Sequence, residues 1–240
     1  MDAEERTLAQ RYEAVLERLD RAVTQALRKR DEVRLIAVSK LHPAAMVAEV
    51  AALGQVDFGE NYVQEALEKR EKLVTLGVQS LSWHMIGHVQ SRKAPLVAGH
   101  FALIHTLDSA KLATAIEKRL CEQDQIQKVL IEVNVGEESQ KSGIDAEKLH
   151  ELCDHVAQNC PHLDLQGLMC IPPVFDAGEA ARPYFARLRT LAEELRTYTG
   201  RPLPELSMGM SGDFEWAVLE GATFVRVGTD IFGPRPPKKV

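Results

Sequence analysis

Lys40 ends the apolar run Arg34-Leu35-Ile36-Ala37-Val38-Ser39, and Val225-Arg226-Val227-Gly228-Thr229 stands near the other end of the chain. A lysine amine attacks a carbonyl only in its neutral form, which an apolar mouth and nearby fixed positive charge both favour. The segment Ser207-Met208-Gly209-Met210-Ser211-Gly212-Asp213 supplies the other half of the chemistry. Gly209, Gly212 and Gly228 let backbone N–H groups approach an oxyanion closely, and Ser211 and Thr229 add hydroxyl donors. A helix starting near Asp213 points its positive end the same way. Arg226 adds a permanent charge that can also donate to a ring nitrogen. The ordinary reading of each is duller: strand-end lysines are usually solvated, and glycine-rich turns occur in any barrel.

Their combination is what matters. One amine for an aldehyde, one anion cradle and one partner for a pyridine nitrogen make up the set that pyridoxal 5′-phosphate (PLP) requires. Further polar groups surround them in sequence. Glu60 and Asn61 follow a short apolar run, and Asn61 is better suited to face a neutral ring hydroxyl. His84 and His88 have HxxxH spacing, but Met85-Ile86-Gly87 lacks the glutamate of a metalloprotease box and no third ligand is evident, so no metal is expected. A barrel-facing histidine that closes a hydrogen bond is the preferred reading.

These groups need elements to carry them. Leu8, Tyr12, Val15, Leu19, Val23 and Leu27 recur at three- and four-residue spacing, which predicts a core-facing amphipathic helix of about seven turns within residues 1–30. Short Val/Ile/Leu/Phe-rich runs follow at 34–39, 56–58, 82–87, 101–107, 128–135, 163–171, 205–210 and 223–232. Between most of them lie helix-length stretches with readable punctuation. Pro43 suits a first helical position and Gly54 an end; Asp108-Ser109 and Asp145 suit caps, and Gly200 ends a helix carrying Tyr184, Leu188, Leu191 and Leu195. Strands joined by helices imply parallel pairing, and eight of them predict an α/β fold: a single (β/α)8 TIM barrel over 34–233 within one domain, 1–240, with the extra N-terminal helix covering the place of a missing last crossover helix. An open doubly wound sheet is the alternative, but no GxGxxG follows the first strand. In a barrel, Lys40, Asn61, Ser211, Gly212, Arg226, Gly228 and Thr229 all fall at the carboxyl ends of strands, where such sites are built.

Bulk properties narrow the class. The 240 residues are 45% hydrophobic with a formal net charge of −6, which argues against a nucleic-acid partner. No segment reaches the roughly 20 apolar residues of a membrane span, and residues 1–15 hold no secretory core. Cys121, Cys153, Cys160 and Cys170 form no CxxC pair. A soluble, cytoplasmic protein is expected, as a monomer or weak homodimer.

The motifs taken together resemble the pyridoxal phosphate homeostasis protein family (YggS/PROSC-like proteins). The resemblance runs from about residue 34 to 233 through Ala37-Val38-Ser39-Lys40, Phe58-Gly59-Glu60-Asn61-Tyr62-Val63-Gln64-Glu65 and Trp83-His84-Met85-Ile86-Gly87-His88-Val89-Gln90. It continues through Lys141-Ser142-Gly143, Gly167-Leu168-Met169, Leu206–Asp213 and Val225–Gly233. It implies a barrel similar to the N-terminal domain of alanine racemases, with PLP held as a Schiff base on Lys40. It implies that Ser211, Gly212, Gly228 and Thr229 hold the phosphate, that Arg226 faces the ring nitrogen, and that Lys141 sits on a loop near the entrance. Implied partners are PLP and PLP-dependent apo-enzymes.

A holder of the cofactor is expected rather than a robust enzyme. Arginine opposite the pyridine nitrogen cannot support a protonated ring, so the ring is a poor electron sink. Racemases also need a second base, usually a tyrosine from an added domain. Here the sequence ends soon after the barrel, and of the tyrosines only Tyr62 lies near a strand's carboxyl end. A weak amino-acid racemase and a Schiff-base aldolase-type barrel are the alternatives.

Overall fold

Most strands of this chain are buried on both faces, which is why the apolar runs do not alternate with polar residues. In β1 (Arg34–Val38), Leu35 and Ala37 join the large outer cluster beneath the helices, while Ile36 and Val38 join an inner one. The computed structural model describes residues 6–138, 141–173 and 176–234. Eight parallel strands close in sequence order: β1, β2 (Asp57–Glu60), β3 (Ser82–Met85), β4 (Leu103–Leu107), β5 (Gln127–Glu132), β6 (Leu163–Met169), β7 (Glu205–Ser207) and β8 (Phe224–Val227). Closure is made by β1 against β8, with Ile36 opposite Arg226 and Ala37 opposite Val227.

The helices are α1 (Leu8–Gln25), α2 (Ala44–Ala52), α3 (Val63–Thr75), α4 (Ala94–Val97), α5 (Ala110–Gln123), α6 (Leu149–Asn159), α7 (Arg182–Thr199), α8 (Phe214–Leu219) and α9 (Thr229–Phe232). None of the described helices is long and apolar enough to cross a membrane. A capping box between Thr7 and Gln10 starts α1. The helix then packs over α8, α9 and α2 and is tied to the barrel by polar contacts. Arg11 Nε donates to Ile231 O at 2.9 Å, and Arg28 Nη1 donates to Ala222 O at 2.7 Å. The extra helix therefore supplies outer cover beside β8, as the sequence implies.

Several boundaries differ from those read in the sequence. The first helix stops at Gln25, and Leu27, at φ +55°, is 95% exposed rather than core. Periodicity continues past the true end because it carries no information about where backbone hydrogen bonding stops. Pro43 is the residue before α2, not its first residue. Asp145 makes no side-chain cap; a 3-10 turn at Ala146–Lys148 precedes α6. The run 223–232 is strand only to Val227, after which Thr229–Phe232 form one helical turn. In α7, Phe185 takes the fully buried position next to the expected Tyr184.

The pairing of β5 with β6 carries a bulge. Val129 lies opposite Leu165 but Leu130 lies opposite Gly167, leaving Gln166 extra. Gly167 adopts φ +154°, and a Cβ there would stand 1.9 Å from Glu205 O. Relief would require β6 and β7 to separate. Gly167→Ala is therefore expected to destabilise the fold by about 2–4 kcal/mol, read as a lowered denaturation midpoint.

Candidate functional site

The carboxyl ends of the strands open onto a cavity of about 230 Å³, and Lys40, Asn61, Ser211, Gly212, Arg226, Gly228 and Thr229 all line it. Val38, Ile86, Ile171 and Met210 form its apolar wall, and His42 adds a further titratable side chain. The residues gathered here come from opposite ends of the chain because β1 and β8 are neighbours.

Lys40 stands two residues beyond β1 on a tightly held turn. Ser39 Oγ donates to Glu60 Oε1 at 2.6 Å, and Lys69 Nζ donates to Ser39 O at 2.7 Å. Lys69 also pairs with Glu60 and, at 3.0 Å, with Glu65. Burial raises the Glu60 carboxyl above its ordinary pKa against the opposing pull of Lys69. Leu41 sits at φ +65° with its N–H on Glu65 Oε1, and His42 N–H returns to Ser39 O at 3.1 Å. A non-glycine residue in that conformation costs on the order of 1 kcal/mol, so the turn beside Lys40 is held by its surroundings. His42 stacks on Phe232, ring centres 5.3 Å apart.

On the opposite side, two turns meet. Gly209 adopts φ +92°, and a Cβ there would lie 2.6 Å from Ala217 Cβ, so only glycine lets the loop after β7 fold back on α8. Asp213 closes this loop by accepting from Met210 N–H at 2.6 Å. The N–H groups of Asp213 and Phe214 return to Met210 O at 3.1 and 2.9 Å. The six-residue α8 therefore does not aim its first N–H groups into the cavity as the sequence suggests. The remaining donors belong to residues that line it. Among the described residues, no hydrogen bond uses the N–H groups of Ser211, Gly212 or Gly228, or the hydroxyls of Ser211 and Thr229. Arg18 of α1 braces both turns: it donates to Ser211 O at 3.0 Å and pairs with Glu215 and Asp230 at 2.6 and 2.5 Å.

Arg226 is buried at the edge of this space. Its Nη1 donates to Ser207 Oγ at 2.7 Å and its Nη2 to Cys170 O at 2.9 Å. Burial lowers its pKa below the ordinary guanidinium range, opposed by Cys170, Asp213 and Glu132, and a guanidinium so placed remains a cation at neutral pH. Asn61 Oδ1 is buried with no partner among the described residues. An acceptor left unsatisfied inside a cavity is ready for a ligand donor.

Other residues noted in the sequence lie elsewhere. His84 is inside the barrel, and His88 pairs with Asp108 at 3.0 Å, so the two do not converge. Tyr62 is exposed. Lys141 donates to Pro172 O at 2.9 Å and pairs with Glu138 outside the cavity lining. His42, Arg18 and Lys69 were not singled out in the sequence. Neither was Glu132, at the end of β5. Burial, aided by the Asp108 carboxylate, pushes its pKa up to about 7 against the pull of Arg226, and its Oε2 has no partner among the described residues.

Folded Glu132 holds its proton to about 7, whereas an unperturbed glutamate loses it near 4.5. The folded state thus binds more protons between those values, and stability falls as pH rises through that window. Glu132→Gln mimics the protonated form. It is expected to leave Tm nearly unchanged at about pH 4.5 and to raise stability by up to about 3 kcal/mol at about pH 8, read by thermal denaturation at both values.

Comparison with known proteins agrees with the fold. The profile of the family "Alanine racemase, N-terminal domain" matches residues 12–236. The pyridoxal phosphate homeostasis protein of Aquifex aeolicus is 44% identical over 226 residues, covering 94% of this chain and 97% of its own. That of Pseudomonas aeruginosa is 43% identical over 229 residues, covering 95% and 96%. Among solved structures, PipY of Synechococcus elongatus, determined with PLP bound, is 38% identical with a TM-score of 0.79, covering 90% of this chain and all of PipY. An alanine racemase from Clostridium difficile, 16% identical with a TM-score of 0.68 over 94% of this chain and 59% of its own, shares the fold. This chain belongs to the alanine racemase N-terminal domain family and, within it, to the pyridoxal phosphate homeostasis proteins.

Proposed function

We propose that this protein binds PLP in the cavity between Lys40 and the turns at Ser211-Gly212 and Gly228-Thr229, and holds it reversibly in vitamin B6 homeostasis. The observation that carries the reading is the cradle: three backbone N–H groups and two hydroxyls without other partners among the described residues, on two turns braced by Arg18. Such a set matches a phosphate monoester dianion in charge and in number of acceptors. The relatives named for this role, and PipY with PLP bound, support it.

When bound, PLP supplies an aldehyde for covalent linkage and a pyridine ring that can delocalise charge. Lys40 offers the amine for that aldehyde from a turn fixed by Ser39, Glu60 and Lys69, with release of water on linkage. Asn61 Oδ1 offers an acceptor to the ring's hydroxyl. Arg226, a cation with two hydrogen bonds already fixed, is the proposed donor to the ring nitrogen and keeps that nitrogen from taking up a proton. Val38, Ile86 and Ile171 exclude water from one side.

The same set favours holding over turnover. Among the described residues the cavity lining contains no tyrosine and no carboxylate, which leaves His42 as the base beside Lys40. His42 is the one group that favours the competing reading of weak racemase-type proton transfer. Exchange of an amino acid's α-proton in deuterated water, lost in His42→Ala, would select that reading. PLP-dependent apo-enzymes are the proposed recipients, and the reducing cytoplasm is the proposed compartment, consistent with free thiols at Cys121, Cys153, Cys160 and Cys170.

Protein incubated with PLP is expected to turn yellow, and borohydride followed by peptide mapping to place the pyridoxyl group on Lys40. Lys40→Ala should fold normally and lose the adduct; a single stable adduct on another lysine in that variant would overturn the assignment. Arg18→Ala, which touches the cradle only through Ser211 O and the flanking carboxylates, is expected to weaken PLP retention about three- to tenfold, measured by equilibrium dialysis.

A further inference from the structure

Below the cavity, polar side chains occupy an interior that branched apolar residues usually fill. Arg226 Nη1 lies 2.7 Å from Ser207 Oγ, and Ser207 Oγ lies 2.8 Å from His105 Nδ1. His105 Nε2 lies 3.0 Å from His84 Nδ1, and His84 Nε2 lies 2.9 Å from Asp57 Oδ1. These residues come from β8, β7, β4, β3 and β2, so the chain of contacts crosses the barrel from wall to wall. Asp57 is the first residue of β2, at the amino-terminal face, and its side chain is 23% exposed. One end of the chain thus reaches solvent and the other reaches the cavity.

The contacts admit one direction when both imidazoles are neutral. Asp57 is an acceptor, so His84 donates from Nε2 and must accept at Nδ1. His105 then donates from Nε2 and accepts at Nδ1. Ser207 gives its one proton to His105 and can only accept from Arg226. Other charges agree with this arrangement. Burial, together with the fixed charges of Arg226 and Arg34, holds the His105 pKa well below its ordinary range, so it stays neutral. Against the effect of burial, hydrogen bonds with His84 and Ser82 and the charge of Arg34 lower the Asp57 pKa, which keeps it an acceptor. Arg34 pairs with Glu205 and lies over the Phe224 ring, whose edge-on packing with His84 and His105 fixes both imidazole planes.

Stability alone does not account for such a layer, because a well-packed apolar one is at least as stable as a buried polar network. We propose that Asp57, His84, His105 and Ser207 are positioning residues for Arg226: a directed hydrogen-bond chain, set by the carboxylate at the amino-terminal face, that points the Ser207 proton at His105, leaves its lone pairs to the guanidinium and so fixes the orientation of Arg226 at the cavity. Its consequence for ligand retention rests on the PLP reading above; the chain itself does not.

The test begins with ligand-free, full-length protein. At a pH where both imidazoles are neutral, nitrogen-15 NMR should find His84 and His105 both protonated on Nε2. An Nδ1–H tautomer at either position overturns the proposal. Next, Asp57→Ala combined with Ser82→Ala removes the acceptors at His84 Nε2. Both rings should shift toward the Nδ1–H tautomer, the Arg226 side-chain resonances should move, and PLP retention should fall about three- to tenfold. Asp164→Ala, which removes a carboxylate from β6 without touching the chain, should change none of these. Unchanged Arg226 resonances in the folded double variant overturn the proposal. If that variant does not fold, Ser207→Ala decides: PLP retention equal to the parent overturns it. Correct tautomers in a protein that binds no PLP would sink the cofactor reading and leave the chain intact.

Discussion

Pairing of β1 with β8 is the constraint on which the site depends. Ile36 opposite Arg226 and Ala37 opposite Val227 place residue 40 beside residues 226–229, although they are far apart in sequence. An open sheet with the same elements would leave its first and last strands at separate edges. The cavity then could not combine an amine from one terminus with a donor cradle from the other. Closure also explains why α1 matters. The turns after β7 and β8 make the cradle, and Arg18 reaches both from a helix outside the barrel's own repeat.

Much of this was legible in the sequence because it depends on local signals. A strand tip shows as an apolar run that stops, and a cradle shows as glycine with serine or threonine at such a tip. Lys40, Asn61, Ser211, Gly212, Arg226, Gly228 and Thr229 were therefore found by position, and all line one space. Helix ends were less legible. Leu27 continues the spacing of Leu8 to Val23, yet the chain turns there without glycine, so nothing local marks the stop. The loop after β7 misled in another way. Glycines suggested a helix terminus aimed at an anion, but Met210 O takes the first N–H groups of α8.

The interior chain was not legible at all, for a physical reason. Asp57, His84, His105 and Ser207 meet only because inward-facing positions of different strands share a level in the barrel, and that level depends on shear. His84 was read with His88 on sequence spacing alone, whereas its partners lie 27 and 21 positions away. Glu132 was passed over likewise. Its raised pKa follows from burial and from Asp108 on a neighbouring strand-end, neither of which a single segment reveals.

The cavity and the interior chain solve complementary problems of charge. Arginine beside a pyridine nitrogen is useful only if it stays where it is, because a mobile guanidinium in a small cavity would compete for the phosphate. The cradle's donors are neutral N–H and O–H groups, and Arg226 is the lining's guanidinium. Held by Ser207 and Cys170, it would in the proposed pose be kept from turning toward the phosphate. Fixed charge at one end of the ligand and neutral donors at the other favour binding that is oriented yet not overly tight. That balance suits the proposed role of holding PLP reversibly.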